Sequence, residues 1–161
     1  MEQAIVSAVT HDTSEAKVTV AGVPDRPGLA AKLFRSLADR GINVDMIVQN
    51  TSLNGTTDIS FTVPRVDLVA SVEAAEGLQD EMGFDGVSSD SSIARLSLIG
   101  AGMKSYPGVT ATMFETLATL GINIEMISTS AIRISCVIAE AAADRAVAVL
   151  HEAFELDQTT F

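Results

Sequence analysis

The sequence predicts an α+β fold: two βαββαβ modules in tandem, each an antiparallel four-stranded sheet with two helices on one face. Three observations carry that prediction. A block of residues recurs eighty positions later. Within each copy, apolar residues switch between a period of two and a period of 3.6. Glycine and proline fall at the switches, where turns are required.

The repeat is direct. Gly41-Ile42-Asn43-Val44-Asp45-Met46-Ile47 returns as Gly121-Ile122-Asn123-Ile124-Glu125-Met126-Ile127, and Pro27-Gly28 returns at the same spacing as Pro107-Gly108. Between them Ala30, Leu33, Phe34 and Leu37 match Thr110, Met113, Phe114 and Leu117 in character, and Val18-Thr19-Val20-Ala21-Gly22 matches Leu96-Ser97-Leu98-Ile99-Gly100. The chain is an internal duplication. Boundaries follow at 1–13 for an N-terminal segment, 14–90 for the first module and 91–161 for the second.

Each element of the first copy has a local reason. Residues 17–22 are short and β-branched, hence a strand. Residues 23–26 turn at Pro24 and Asp25. Pro27 suits the first helical position, where its missing N–H costs nothing. Ala30, Leu33, Phe34 and Leu37 then lie on one helical face, and Gly41 ends the helix. Residues 42–50 alternate as a strand, Asn54-Gly55 signals a hairpin, and residues 56–63 return. Residues 66–82 read as one helix, with Val69, Val72 and Leu78 among its apolar positions, and residues 84–88 as a last short strand. The second copy follows with strand 95–100, helix 107–120, strands 122–128 and 132–138, and helix 141–154. This order implies the ferredoxin-like arrangement with strand order 4-1-3-2, which leaves the second strand of each module at a sheet edge and favours pairing of modules.

Composition removes several function classes. Over 161 residues the formal net charge is −11, aromatics are 4% and there is no Trp. Nucleic-acid binding draws on clustered Lys and Arg and on stacking aromatics, so no nucleic-acid partner is expected. No apolar run approaches the roughly 20 residues of a membrane span, so no membrane partner is expected. The N-terminus lacks the charged and apolar segments of a secretory signal. With one cysteine, Cys136 in an apolar strand, a cytoplasmic home is expected. No phosphate loop, dinucleotide fingerprint or metal-ligand spacing occurs, and Gly100-Ala101-Gly102 lacks the third glycine of a Rossmann turn. His11, read in an N-terminal turn, and His151, read in the late helix, stand apart from any nucleophile. Neither an enzyme nor a cofactor is expected from this chain alone.

A small-molecule site is easier to argue. Asp25-Arg26-Pro27-Gly28 leads into a helix N-terminus, whose free N–H groups and dipole favour a carboxylate. Gly28 lets a ligand approach the backbone, and Asp25 offers a partner for an ammonium group. Asn43 starts the neighbouring strand, and alternation places Asn43, Asp45 and Gln49 on one side of it. Together these suit a free α-amino acid. The same residues also serve ordinary turn chemistry, and a duplicated fold would repeat its turns, so the pattern alone leaves both readings open.

Asp25-Arg26-Pro27-Gly28 with Gly41-Ile42-Asn43-Val44 resembles the ACT domains, amino-acid-binding modules attached to biosynthetic enzymes. Longer blocks are similar to the regulatory β chains of actinobacterial aspartate kinases: residues 14–20, 43–50 and 56–61, Gly100-Ala101-Gly102-Met103-Lys104-Ser105, Ile127-Ser128-Thr129-Ser130 and Ile132-Arg133-Ile134-Ser135. That resemblance spans residues 4–156. It implies a non-catalytic subunit, beginning at Met1 without the kinase domain, that binds threonine and lysine for concerted feedback inhibition. It implies a catalytic α chain as partner in an α2β2 assembly, and self-association to a β dimer. Effector residues carry over as Asp25, Arg26, Pro27, Gly28, Leu29, Ala30, Asn43, Val44, Asp45 and Gln49 in the first module, and Val109, Thr110, Asn123, Ile124 and Ser130 in the second. The resemblance also implies that residues 5–9 add a strand to the second module, while residues 157–161 depart from the family. Three readings compete: an ACT regulator of another enzyme, such as valine-sensing acetohydroxyacid synthase, a small enzyme using Cys136 or His151, and a ligand-independent dimerisation module.

Overall fold

The computed structural model describes residues 5–101 and 107–156. They form two compact units, one of residues 14–91 and one that joins residues 5–13 to residues 92–156. The chain opens with β1 (Ile5–Asp12), which belongs to the second of these. His11 therefore lies in a strand rather than a turn, with Nε2 3.8 Å from the Asp144 carboxylate.

The unit of residues 14–91 contains β2 (Glu15–Pro24), α1 (Leu29–Asp39), β3 (Ile47–Thr51), β4 (Thr56–Pro64), α2 (Leu68–Glu76), α3 (Gln79–Met82) and β5 (Gly86–Asp90). Its sheet runs β3-β4-β2-β5, every neighbour antiparallel. The second strand of the motif is at one edge, as the βαββαβ order requires. Val18 and Val20 of β2, Ile59, Phe61 and Val63 of β4, and Leu29, Leu33 and Leu37 of α1 form the core. The ring of Phe34 meets Phe61 edge-on at 5.5 Å.

The repeated glycines have a structural cause. Gly41 N–H donates to Ala38 O at 2.9 Å and Ile42 N–H to Leu37 O at 3.0 Å, with Gly41 at φ 71. That pair of bonds is the Schellman stop, which needs a left-handed residue one past the cap. Gly121 and Ile122 make the same two bonds to Ala118 and Leu117, with Gly121 at φ 70.

Several boundaries depart from the sequence reading. Pro27 lies outside α1. Gly28, at φ 91 and ψ −14, caps the helix, so Pro27-Gly28 forms the middle of a type II-like turn and the helix starts at Leu29. The second strand starts at Ile47 rather than residue 42, because a bulge precedes it. Asp45 N–H donates to Thr62 O, Met46 N–H donates to Thr62 Oγ1 and Met46 O accepts from Thr62 N–H, so two residues oppose one. The helix expected over 66–82 is a 3₁₀ turn at Arg65–Asp67 followed by α2 and α3, separated at Gly77. Val69 points outward at 70% exposure, and Ser71, Ala74 and Ala75 supply the buried face. The last strand begins at Gly86, since Phe84 turns into the core.

The other unit adds β6 (Ile93–Ala101), α4 (Pro107–Thr119), β7 (Met126–Thr129), β8 (Arg133–Ala139) and α5 (Ala143–Ala153). Here Pro107 is the first helical residue. Its sheet runs β1-β6-β8-β7, so β1 flanks β6 where β5 flanks β2 in the first unit. Glu125 N–H donates to Val137 O while Met126 also faces Val137, which repeats the bulge and delays β7 to Met126. Cys136 is buried in β8 among Leu96, Leu98 and Leu150, and burial pushes its thiol up to about 12. His151 on α5 lies with Nε2 3.4 Å from Val9 O. No helix among the described residues is long and apolar enough to cross a membrane.

Candidate functional site

A bulge in β2 builds the site. The register of β2 against β4 slips between Val20 and Val23, and Gly22 takes φ 71 with its N–H on Asp58 Oδ1 at 2.9 Å. Past the bulge, Val23 pairs with Thr57 and Pro24 with Thr56. The loop after Pro24 is then tied down, because Asp25 N–H donates to Gly55 O at 3.0 Å and Arg26 N–H to Pro24 O at 2.9 Å. The hairpin turn at Asn54-Gly55 thus anchors the loop that leads into α1.

A cleft of about 320 Å³ opens against this loop, near the lower end of the roughly 300–1,000 Å³ usual for small-molecule sites. Its rim is Asp25, Arg26, Pro27 and Gly28, all exposed, and its wall is Leu29 and Ala30 at the start of α1. Gln49 of β3 and Thr57 and Ile59 of β4 close the far side with Val23. The first helical bond is Lys32 N–H to Gly28 O, so the N–H groups of residues 29–31 have no carbonyl within the helix to bond. No side chain caps α1 and its first turn carries no acidic residue. The partial positive charge at that end is therefore offered to whatever occupies the cleft. Seven of the ten first-module residues carried over from the family meet here.

Asn43, Val44 and Asp45 do not line it, and the bulge explains why. Ile42 and Val44 pack on the core, so Asn43 and Asp45 face away from it. After the bulge Ile47 stands opposite Phe61 and Gln49 opposite Ile59, both core residues. Directly opposed residues share a face, so Gln49 is on the helix side and Asn43 and Asp45 are on the other. The expected shared side for Asn43, Asp45 and Gln49 is corrected by one extra residue.

In the other unit, Val109 is buried and Thr110 half-buried in the first turn of α4, and Asn123 and Ile124 precede β7, Asn123 exposed. Ser130 sits in the β7–β8 hairpin, where its N–H donates to Arg133 O at 2.7 Å. The motif residues Gly102, Met103, Lys104 and Ser105 ahead of α4 lie outside the described residues, as do residues 157–161. Sequence reasoning missed Val23 and Pro24 on β2 and Thr57 and Ile59 on β4. The signal was present: Thr57, Ile59, Phe61 and Val63 are one inward row, and its only polar member is the one at the cleft.

Comparison with known proteins places these features in context. The ACT domain family profile matches residues 7–77 and 96–154. The aspartokinase of Mycolicibacterium smegmatis is 54% identical over 158 residues, 97% of this chain, and that of Corynebacterium glutamicum is 51% identical over the same length. The chain spans 38% of the length of each of these curated relatives. Among solved structures, one of aspartokinase alpha and beta subunits superposes with a TM-score of 0.89 at 44% identity, covering 94% of this chain and 99% of that one. The ligand-free regulatory subunit of aspartate kinase from Thermus thermophilus gives 0.88 at 40% identity, covering 92% and 98%.

Proposed function

The chain belongs to the ACT-domain family, as a regulatory part of the aspartate kinases, and on that premise we propose that it binds threonine, with lysine, for concerted feedback inhibition of that enzyme. The observation that carries this reading is the uncapped, acid-free N-terminus of α1 facing a cleft with a carboxylate and an amide on its rim and wall. A free amino acid needs an anion site, a cation partner and a side-chain pocket. The α1 N–H groups receive its carboxylate, Asp25 takes its ammonium, and Gln49 donates or accepts at the side-chain end.

Regulation requires the ligand to prefer one assembly over another. Edge strands β3 and β7 expose Ile47 at 54% and Ile127 at 46%, repeat equivalents of each other. Apolar side chains on these edge strands support pairing with a second copy, and Asn43 and Asp45 face away from the cleft of their own unit, on the side that a neighbour's ligand approaches. Threonine bridging two chains in this way, with lysine, biases a catalytic α chain in an α2β2 enzyme. A coupling of about 1–3 kcal/mol suffices. A cytoplasmic location fits a sensor of free amino acids.

Titration calorimetry of the chain with threonine, then lysine, followed by co-purification with a kinase-bearing chain, tests the reading. Heat and thermal stabilisation with either amino acid are expected. Neither with both would refute it. The exposed Ile47 and Ile127 equally favour a ligand-independent dimerisation module, which would assemble to the same extent with and without amino acids.

A further inference from the structure

Thr57 of β4 is 2% exposed, and its Oγ1 is buried with no hydrogen-bond partner. It stands opposite Val23 on one side and Thr51 on the other, in an inward row otherwise made of Ile59, Phe61 and Val63. A buried hydroxyl without a partner destabilises a fold, and valine would fill the same space without that penalty. The residue lines the cleft with Gln49, Ile59 and Ala30. Packing alone gives no reason for an oxygen at that point.

We propose that Thr57 determines specificity: its hydroxyl pairs with a hydroxyl on the side chain of the bound amino acid, so the cleft selects a hydroxyl-bearing ligand over an apolar one of equal shape. This rests on the amino-acid-binding reading above and names what sets the choice within it. With the ligand carboxylate on the N–H groups of α1 and its ammonium toward Asp25, the side chain points to the far wall. There Thr57 and Gln49 are polar and Ile59 and Val23 are apolar. A β-branched side chain with one hydroxyl and one methyl meets both. A hydroxyl donates and accepts, and rotation about χ1 carries the Thr57 oxygen between staggered positions, so it pairs with either role of the ligand. A site that hydrogen-bonds a ligand hydroxyl rejects the isostere lacking it far better than an apolar pocket does.

The test is calorimetry on the full chain with threonine, serine, valine and 2-aminobutyrate, for the wild type, Thr57→Val, Thr57→Ala and Thr57→Ser. The wild type is expected to prefer threonine to valine. In Thr57→Val that ratio falls roughly tenfold, the scale of one neutral hydrogen bond, while the protein melts no lower than wild type. Thr57→Ser keeps the ratio within about threefold. Should Thr57→Val fail to fold, Thr57→Ala carries the same expectation for the ratio. An unchanged threonine-to-valine ratio in the folded hydroxyl-less variant overturns the assignment while leaving amino-acid binding intact. A wild type that binds none of the four overturns both.

Discussion

Replacing Gly28 by alanine separates backbone conformation from contact. Gly28 holds φ 91, and a Cβ built there meets nothing within 4 Å. The cost is thus conformational: about 1–2 kcal/mol for an L side chain in the left-handed region. The reduced freedom of the unfolded chain offsets about 0.4–1 kcal/mol, leaving about 1 kcal/mol net. For a domain of 60–100 residues that lowers the melting midpoint by about 4–8 °C. Gly41→Ala is the control, because Gly41 has φ 71 and equally open space but lies at the other end of α1. Gly22→Ala is the upper bound. Its Cβ would lie 2.2 Å from Asp85 Oδ2 at φ 71, so strain and displacement of Asp85 add. Urea unfolding should rank Gly28→Ala and Gly41→Ala together and Gly22→Ala below both. Threonine titration should separate the first two: Gly28→Ala re-aims the cleft loop and weakens binding about tenfold, while Gly41→Ala leaves it within about twofold. The reasoning fails if Gly28→Ala is as stable as wild type, or if both variants lose threonine affinity equally.

Ala30 is half-buried on the cleft wall, so Ala30→Leu should weaken threonine binding at least tenfold in calorimetry with folding retained. Loss of soluble protein would show that Ala30 serves the core instead. The Cys136 thiol, raised to about 12 by burial, should resist alkylation in the native protein at pH 8 and react once urea unfolds it. Its linkage has a definite sign. The folded pKa lies above the unfolded value, so the contribution is full below about pH 9 and falls between there and about pH 12, by up to about 1.4 kcal/mol per unit. Chemical denaturation across that range measures it. The exposed ion pair between Lys32 and Glu81 should matter little, and Lys32→Ala should stay within about 0.5 kcal/mol of wild type by the same method.

The fold was legible where the signal is local. The face of α1, its glycine stop and the sheet order of the first unit all follow from residues close in sequence, and the repeat doubles each inference. What escaped needs a partner to define it. The Asp45-Met46 bulge exists only relative to Thr62, so alternation along one strand could not show that it inverts the side on which Gln49 stands. Pro27 and Gly28 both suit a helix start, and only the left-handed backbone at Gly28 decides between them. The pairing of β1 with β6 came from family resemblance, since no local pattern names a partner about ninety residues away. Thr57 was readable as inward from Ile59 and Phe61, yet a threonine in a strand draws no notice until its hydroxyl is seen without a bond.

The placement of β1 has a consequence for synthesis. Residues 14–91 form a contiguous unit that can close as soon as it leaves the ribosome, where synthesis runs at about 5–20 residues per second. The sheet of the other unit cannot, because its outer strand is made first and must wait for β6, with Ile5 finally opposite Ala101. Within this unit the earliest strand waits through the whole of residues 14–91 for its neighbour. Closing so long a loop slows this step, and until it closes β6 shows an unprotected edge to every other nascent chain of the same kind.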